Sequence, residues 1–348
     1  PVKRWKTAGS RPGKPEPVPG LNDQRSIVLR FDMRSAPHCP EDVATRYRAV
    51  TEMAAWADHN QIDVIGLSEH HNTDDGYLSS PLSLAGMLVA RTRRVRISVS
   101  ALLVPLHDPL RLAEDIAVLD LVSGGRFSAT CGLGYREIEY RTFGVDWGRR
   151  GQVFDEKLAV MVNALDGQPV QYNGTAVQLN PAPRSPVQAL LTVGGNSVAA
   201  ARRAARFGLL FCPAIDDPAL EEAYLDACRR RNVSWGATIF PRHPATTFIS
   251  ENPERSWREL GEYLLYDATA YGAWRHPSRR AYAESFAGDL DELRAEGKYR
   301  ILTPEQAVDV IEKTGSLHLA PITGGVPSDL GWQSLRLFEE QVQPRLSR

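Results

Sequence analysis

Long apolar runs, paired cysteines and a dinucleotide-binding motif are all missing from this sequence of 348 residues. No apolar run approaches the roughly 18 residues that a membrane-spanning helix needs, so we expect no membrane association. The four cysteines, Cys39, Cys131, Cys212 and Cys228, lie far apart in the sequence. This spacing fits neither a zinc site nor a disulfide framework and is typical of a protein in the reducing cytoplasm.

An excess of charge of either sign is also missing. Lysine and arginine total 41 against 42 acidic residues, which gives a net charge of −1 at pH 7. Nucleic acids and anionic membranes require a basic surface, so we expect neither as a partner. The first twenty residues carry scattered Lys, Arg and Pro without the apolar stretch of a signal peptide. We therefore predict an extended N-terminal arm over residues 1–24.

What the sequence does have is a repeated alternation of strand and helix patterns. The apolar run at 95–104 is typical of a parallel strand that is covered on both faces. Asp108 and Thr303 are placed to cap two helices, each with a proline directly after it. The strands are predicted at residues 27–31, 62–67, 95–104, 126–132, 189–193, 209–212, somewhere in 236–249, and 317–320.

Alternating strands and helices favour a parallel sheet, either open or closed into a barrel. The open dinucleotide-binding sheet carries G-x-G-x-x-G after its first strand, and this sequence has no such motif there. We therefore predict an α/β fold of the (β/α)₈ TIM-barrel class, as a single domain over residues 25–348. Insertions are predicted at the C-terminal face of the barrel, at residues 167–188 and 270–300. The second is charged and shows no strand pattern, and we expect it to lie near the barrel mouth as a lid.

Active sites of such barrels form at the C-terminal ends of the strands, and the second strand runs into Glu69-His70-His71. One hypothesis is a metal site with His107 or Asp108 as a further ligand. Neighbouring residues on a strand point to opposite faces, so His70 and His71 are poorly placed for one ion, and we predict no metal. The alternatives are an acid–base histidine in the mouth or an inert histidine bonded to the backbone. A structural role is favoured for His107, and capping alone explains Asp108.

The fifth predicted strand runs into a Gly-Gly-Asn-Ser segment, residues 194–197, and then into a helix. Two glycines let the backbone approach a ligand closely, and the free N–H groups at the start of a helix attract an anion. Asn196 and Ser197 are placed either to cap the helix or to bind a phosphate. Arg149 and Arg150 are candidate cations for that phosphate, although many such arginines are solvated surface charges.

Several segments, in order along the chain, resemble the luciferase-like family of flavin-dependent monooxygenases. They are Glu69-His70-His71, Ser80-Pro81, Arg91-Thr92, residues 105–115, residues 119–127 with the pattern LDxxSxGR, Gly132-Leu133-Gly134-Tyr135, Glu139 and Phe143-Gly144-Val145-Asp146. The close of the chain, with Gly324-Gly325, Glu340, Val342 and Pro344, is also similar. The strongest resemblance covers about residues 43–210. One departure is Ala129-Thr130-Cys131, which stands where the family commonly has glycine and valine.

The resemblance implies a dimeric (β/α)₈ barrel that binds FMN or the deazaflavin F420 at the C-terminal ends of its strands. It implies that His70 is the catalytic histidine. It also implies a cis non-prolyl peptide between Ser100 and Ala101, beside the isoalloxazine ring. The residues implied to bind the cofactor are Ser100, Ala101, Gly132, Gly134, Tyr135, Arg150, Gly194, Gly195, Asn196 and Ser197.

The leading functional hypothesis is a two-component monooxygenase. It would receive reduced FMN from a separate flavin reductase and use O2 to oxidise a small organic substrate through a C4a-peroxyflavin. One alternative is an F420-dependent oxidoreductase that transfers a hydride, another is a non-catalytic flavin-binding protein, and a metal-dependent hydrolase is the fourth. Tyr77, Tyr135, Trp274 and Phe286 are aromatic candidates for the walls of the substrate pocket.

Overall fold

The computed structural model describes residues 25–233, 236–240, 246–274 and 285–346. The arm predicted at residues 1–24 lies outside the described residues. The strands are β1 Ser26–Phe31, β2 Val64–Leu67, β3 Arg96–Leu102, β4 Phe127–Cys131, β5 Val170–Tyr172, β6 Thr175–Val177, β7 Leu191–Gly194, β8 Leu210–Cys212, β9 Thr246–Ile249, β10 Tyr299–Leu302 and β11 Ser316–Leu319.

The helices follow the strands along the chain. They are α1 Val43–His59, α2 Pro81–Arg91, α3 Pro109–Ser123, α4 Glu137–Thr142, α5 Arg150–Leu165, α6 Val187–Leu190, α7 Val198–Phe207, α8 Pro218–Arg230, α9 Pro253–Ala273, α10 Leu290–Glu296, α11 Pro304–Thr314 and α12 Ser328–Leu337. Within the described part of the chain, none of these helices combines the length and apolar character needed to cross a membrane.

The main sheet has nine strands in the order β10-β9-β11-β1-β2-β3-β4-β7-β8, and every pairing in it is parallel. The last strand of the chain, β11, pairs with the first, β1, as in a (β/α)₈ barrel. Beyond β8, Thr238 forms a parallel bridge to Phe211. The fold is therefore of the α/β barrel class, and the pairings among the described residues leave β8 and β10 at the two edges.

Two predicted helix starts are confirmed. The Asp108 carboxylate caps α3 by accepting hydrogen bonds from the N–H groups of Leu110 and Arg111, both at 3.0 Å. Thr303 and Gln306 cap α11 reciprocally, because each side chain bonds the backbone N–H of the other residue. These caps satisfy N–H groups that have no partner within their own helix.

The prediction that residues 270–300 contain no strand is wrong. Strand β10 begins at Tyr299 and pairs with β9, and α10 lies just before it. The end of α9 also falls inside this segment, whereas residues 275–284 lie outside the described residues. The strand has only four residues and alternates buried Tyr299 and Ile301 with partly exposed neighbours. A run this short, next to charged residues, is too brief to show a strand pattern in the sequence.

Residues 167–188 contain an antiparallel hairpin of β5 and β6 rather than a part of the main sheet. Its turn is Asn173-Gly174, and both residues have positive φ values of 49° and 77°. Such a two-residue turn matches the twist of the flanking strands.

Candidate active site

Most of the predicted site residues lie on four neighbouring strands or directly after them, where these strands reach one edge of the sheet. His70 follows β2, Ala101 lies near the end of β3, Gly132 follows β4, and Gly194 ends β7. The strands β2, β3, β4 and β7 are consecutive neighbours and parallel, so their C-terminal ends share one edge. At about 4.8 Å a step, the ends of β2 and β7 are roughly 14 Å apart, which is a distance that an extended ligand can span.

The loop after β2 fixes the position of His70. The His70 N–H donates a hydrogen bond to the Leu78 carbonyl at 3.1 Å, and the Leu78 N–H donates to the Asp32 carbonyl beyond β1 at 2.8 Å. The next residue, His71, directs its ring to a different partner, Glu69. The two imidazoles therefore serve separate clusters, as the alternation of side chains along a strand predicts.

Both ring nitrogens of His70 have partners. Nδ1 lies 2.8 Å from Glu139 Oε1, and Nε2 lies 3.0 Å from the Tyr135 hydroxyl. Glu139 Oε1 also accepts the His71 N–H at 2.9 Å and a bond from Arg136 Nη1 at 3.2 Å. Burial lowers the pKa of His70 below its ordinary value, and the bond to Glu139 only partly offsets this effect. The imidazole is therefore neutral near pH 7.

Three aromatic rings surround His70, and we call them the aromatic collar. The centroids of Tyr77, Tyr135 and Trp274 lie 4.9, 5.1 and 4.8 Å from that of His70. All three rings belong to residues predicted as pocket candidates, and they come from distant parts of the chain. Phe286, the fourth candidate, is 60% exposed and therefore does not belong to the collar.

A buried arginine, Arg34, adjoins the collar. Its guanidinium lies 4.3 Å from the Trp274 ring centroid and 4.4 Å from that of Tyr271. Nε lies 3.2 Å from an oxygen of Asp75 and 3.4 Å from one of Asp267. Burial raises the pKa of Asp267 to about 7. This cluster joins the segment after β1 to α9 next to the collar.

Glu69, His71 and His107 bring three potential metal-ligating atoms within 4.8 Å of one another. The metal hypothesis from the sequence had paired His70 with His71 and did not assemble this set. Glu69 Oε1 lies 2.9 Å from His71 Nε2 and 2.6 Å from His107 Nε2, and Oε2 accepts the Leu103 N–H at 2.5 Å. Both carboxylate oxygens are thus bonded, at hydrogen-bond lengths. The contacts explain the cluster as a buried carboxylate that anchors the end of β3.

The peptide bond between Ser100 and Ala101 is cis, as the resemblance implied. Ala101 packs against Gly132, where an added Cβ would come within 2.6 Å of the Ala101 Cβ. Gly134 has a φ of +76°, in the left-handed region that glycine adopts without strain. The two glycines thus allow the end of β4 and the loop after it to lie close to β3 and Leu103.

The segment 194–197 forms a tight turn into α7. Gly195 has a φ of +135°, and an added Cβ there would lie 2.9 Å from the Ala200 Cβ. Ser197 caps α7, because its Oγ accepts the Ala200 N–H at 3.2 Å. Asn196 Oδ1 instead accepts the Ala214 N–H at 2.7 Å, which ties this turn to the loop after β8. Of the two roles predicted for these side chains, capping belongs to Ser197.

Arg150 and Arg149 differ sharply in their surroundings. Arg150 begins α5, stacks on Trp147 at 4.0 Å and donates from Nη1 to the Trp147 carbonyl at 2.8 Å. Its Nε is buried without a hydrogen-bond partner among the described residues. Arg203 of α7 bonds Asp155 and the Gly151 carbonyl, so the start of α5 lies against α7. The side chain of Arg149 is 58% exposed and faces Glu156.

These features fit an anionic group such as the phosphate of a flavin. The start of α7 offers backbone N–H groups behind a glycine turn, and the positive end of the helix dipole favours an anion there. An orphaned, buried N–H of Arg150 lies on the adjacent α5. The cis peptide and Gly132, at the ends of β3 and β4, would lie beside the ring of such a ligand.

Of the two hydrogen-bond partners of His70, Tyr135 was predicted from the sequence as a cofactor-binding and pocket residue, whereas Glu139 entered only as part of the resemblance. Arg34 and Asp267 were not predicted. One local signal was available for Glu139. It stands three residues after Arg136, with which it forms an ion pair, at the start of a helix that follows a barrel strand. Arg34 and Asp267 are 233 residues apart in the sequence, so only the fold brings them together.

Comparison with known proteins identifies the family. The sequence model of the luciferase-like monooxygenases matches residues 25–319. The chain belongs to the luciferase-like monooxygenase family. Relatives that match part of this chain include alkanal monooxygenase α chains and 4-hydroxyprotoasukamycin monooxygenase.

Individual relatives are more distant. The alkanal monooxygenase α chain of Photorhabdus luminescens is 29% identical over 154 residues, which is 42% of this chain and 42% of that protein. The match thus spans less than half of the relative. Among solved structures, the oxygenating constituent of 3,6-diketocamphane monooxygenase from Pseudomonas putida, in complex with FMN, has a TM-score of 0.65 and 18% identity, and covers 93% of this chain and 99% of that one. An F420-dependent secondary alcohol dehydrogenase, in complex with an F420–acetone adduct, has a TM-score of 0.67 and 15% identity, with coverages of 93% and 100%. At these identities the structural likeness concerns the fold.

Proposed function

We propose that this luciferase-like enzyme is a two-component monooxygenase that uses reduced FMN and O2 to oxidise a small organic substrate. The observation that carries the proposal is the arrangement of one edge of the sheet. The buried imidazole of His70 and the glycine turn at residues 194–197 lie at the shared C-terminal edge of neighbouring strands. The buried Nε of Arg150, which has no hydrogen-bond partner among the described residues, lies on helix α5 beside α7. Reduced FMN would supply the two electrons that activate O2.

The chain's own residues would divide the work between the two ends of the ligand. Ser197, Gly195 and Arg150 would hold the phosphate, with Asn196 bracing the turn and Gly194 lying against Thr130. Ser100, Ala101, Gly132 and Gly134 would support the ring. The buried His70 would handle the proton, and the three rings of the aromatic collar would exclude water from it.

We extend the proposal to the source of the electrons, the cellular location and the oligomeric state. The sequence carries no G-x-G-x-x-G motif after its first strand, and this supports a separate flavin reductase as the source of electrons. The four cysteines are free thiols, which supports a cytoplasmic location. We also propose a homodimer, because α2 and α3 expose apolar side chains on adjacent faces.

The cofactor is tested by fluorescence titration of the protein with FMN and with F420. We expect FMN to bind, and we expect Arg150→Met to weaken its binding about tenfold to a hundredfold, the value of a charge-assisted hydrogen bond. Arg149→Met is the matched control, because its side chain is exposed and bonds other residues of α5. Equal losses in the two variants would refute the phosphate site.

The reaction with oxygen is tested separately. The protein with reduced FMN is prepared anaerobically and mixed with O2, while O2 consumption and the absorbance of oxidised FMN are followed together. We expect O2 to disappear before oxidised FMN returns, with free reduced FMN as the control without a lag. If the two traces coincide in the presence of the protein, the monooxygenase proposal fails.

F420-dependent hydride transfer is the second candidate. The hydroxyl–imidazole–carboxylate series of Tyr135, His70 and Glu139 is suited to take a proton from an alcohol while a hydride leaves its carbon. The likeness to the F420-dependent secondary alcohol dehydrogenase supports this candidate at the level of fold. Anaerobic reduction of F420 by a panel of secondary alcohols would favour it over the first.

A further inference from the structure

The imidazole of His70 has both of its ring nitrogens covered. Nδ1 faces Glu139 at 2.8 Å, and Nε2 faces the Tyr135 hydroxyl at 3.0 Å. The side chain is only 7% exposed, and the collar rings of Tyr77 and Trp274 pack against its other sides. A reactant therefore cannot bond to His70 Nε2 unless Tyr135 first moves away.

The hydrogen positions in this series follow from the chemistry of the partners. Burial raises the pKa of Glu139, but the hydrogen bond from His70 and the other neighbouring groups outweigh burial, so the pKa lies below its ordinary value. The carboxylate is therefore ionised and can only accept hydrogen bonds. The single proton of the neutral imidazole must then lie on Nδ1. Nε2 carries the lone pair, so the Tyr135 hydroxyl is the donor in its contact with His70. The remaining lone pairs of the hydroxyl are free to accept a proton.

We propose that Tyr135 is the catalytic residue that touches the reactant and that His70 acts through it. This inference deepens the proposed function and rests on it. An O–H bond of a bound reactant breaks, and its electron pair stays on the reactant oxygen. A new O–H bond forms at the Tyr135 oxygen while the original tyrosine proton moves to His70 Nε2. The imidazolium that results is balanced by the Glu139 carboxylate, and the reverse sequence delivers a proton.

The charged and titratable groups around His70 are consistent with a relay. Glu139 and Arg136 face it from α4 and its start, Tyr77 from the loop after β2, and Arg34 from beyond β1. Burial raises the pKa of Tyr135, so a lasting tyrosinate is disfavoured. A hydroxyl that gives up one proton as it gains another avoids that charged form.

The hydrogen bond is tested by ¹⁵N-histidine NMR on the full chain with FMN bound. Tyr135→Phe removes the hydroxyl, and Tyr140→Phe is the matched control, because its hydroxyl bonds the Leu133 carbonyl and not His70. We expect the His70 Nε2 resonance to move to the position of an unbonded lone pair in Tyr135→Phe alone, while Nδ1 stays protonated. An Nε2 resonance that is the same in both variants overturns the relay.

The proton transfer is tested in the reaction of protein-bound reduced FMN with O2. We expect Tyr135→Phe and His70→Ala each to lower the rate of flavin reoxidation on the order of 10²-fold. The rate of the double variant should be no lower than that of either single variant. Losses that multiply overturn the proposal, since they mean that the two residues act independently.

A second measurement uses the wild-type protein alone. The dependence of the reoxidation rate on the D2O fraction in H2O–D2O mixtures should show that two protons move in the rate-limiting step. A dependence that fits one moving proton contradicts the relay. If the wild-type protein shows no lag between O2 consumption and the return of oxidised FMN, the monooxygenase proposal fails. The NMR shifts decide the relay in that case too.

Discussion

Glu139 is the residue on which the orientation of His70 depends. Its buried carboxylate accepts from His70 Nδ1, the His71 N–H and Arg136. We expect Glu139→Gln to lower the free energy of unfolding by about 1–3 kcal/mol, because it weakens buried hydrogen bonds to a charged group. Loss of the negative charge should also lower the pKa of His70 further, because the Glu139 carboxylate is the group that opposes the lowering by burial.

Denaturant unfolding and an NMR pH titration of His70 measure the two effects. Glu137→Gln is the matched control, because Glu137 lies in the same short helix but is exposed. A control variant that destabilises the protein as much as Glu139→Gln would contradict the role assigned to the buried carboxylate.

Glu69 leads to a prediction about pH. Burial favours its neutral form, but hydrogen bonds from His107 and His71 outweigh this and lower its pKa from 4.5 to about 2. A carboxylate with a lowered pKa in the folded state contributes stability above pH 4.5 and loses it as the pH falls towards 2. At about 1.4 kcal/mol per pKa unit, Glu69→Gln should cost roughly 3 kcal/mol at pH 7.

The difference between wild type and Glu69→Gln should therefore shrink as the pH falls below 4.5. Urea unfolding at several pH values between 3 and 7 checks this, with exposed Glu52→Gln as the control. A difference that stays constant over this range would mean that the variant acts through packing rather than through charge.

At the scale of elements, the sequence predicts local patterns well and pairings poorly. Capping by Asp108 and Thr303 was predictable because a cap involves residues within one turn. Strand β10 was missed because its four residues carry too few side chains to show alternation. The contacts of Arg34 with Asp267 depend on how β1 and α9 meet, and no local pattern records that.

The turn before α7 gives a prediction at the same scale. Gly195→Ala should weaken FMN binding about tenfold or more, because its Cβ would lie 2.9 Å from the Ala200 Cβ at a φ of +135° and push the turn outward. Gly174→Ala is the control, since Gly174 also has a positive φ, of +77°, but has nothing within 4 Å of the added Cβ. If both variants bind FMN like the wild type, the backbone of this turn does not hold the cofactor.

At the scale of the whole molecule, the sheet collects the site from distant parts of the chain and leaves one outer face apolar. Val118, Leu121 and Val122 of α3 are 47%, 42% and 65% exposed, and Met87 of α2 is 50% exposed. Spacings of three and four residues place the α3 side chains on one face of the helix. Gly86 lies within 3.8 Å of Leu119, measured from an added Cβ, so α2 and α3 are in contact. Together these side chains form an apolar α2–α3 face that a second copy of the chain would cover.

A charge in the α2–α3 face tests the proposed homodimer. We expect Val122→Asp to shift the protein from dimer to monomer in sedimentation equilibrium, because a carboxylate buried between two copies would be desolvated without a partner. Val198→Asp is the control, since Val198 is also apolar and 40% exposed but begins α7, on the far side of β4 and β7 in the sheet order. A wild-type chain that sediments as a monomer at micromolar concentration would rule out the dimer. A Val122→Asp variant that remains dimeric, beside a dimeric control, would instead place the interface on another face.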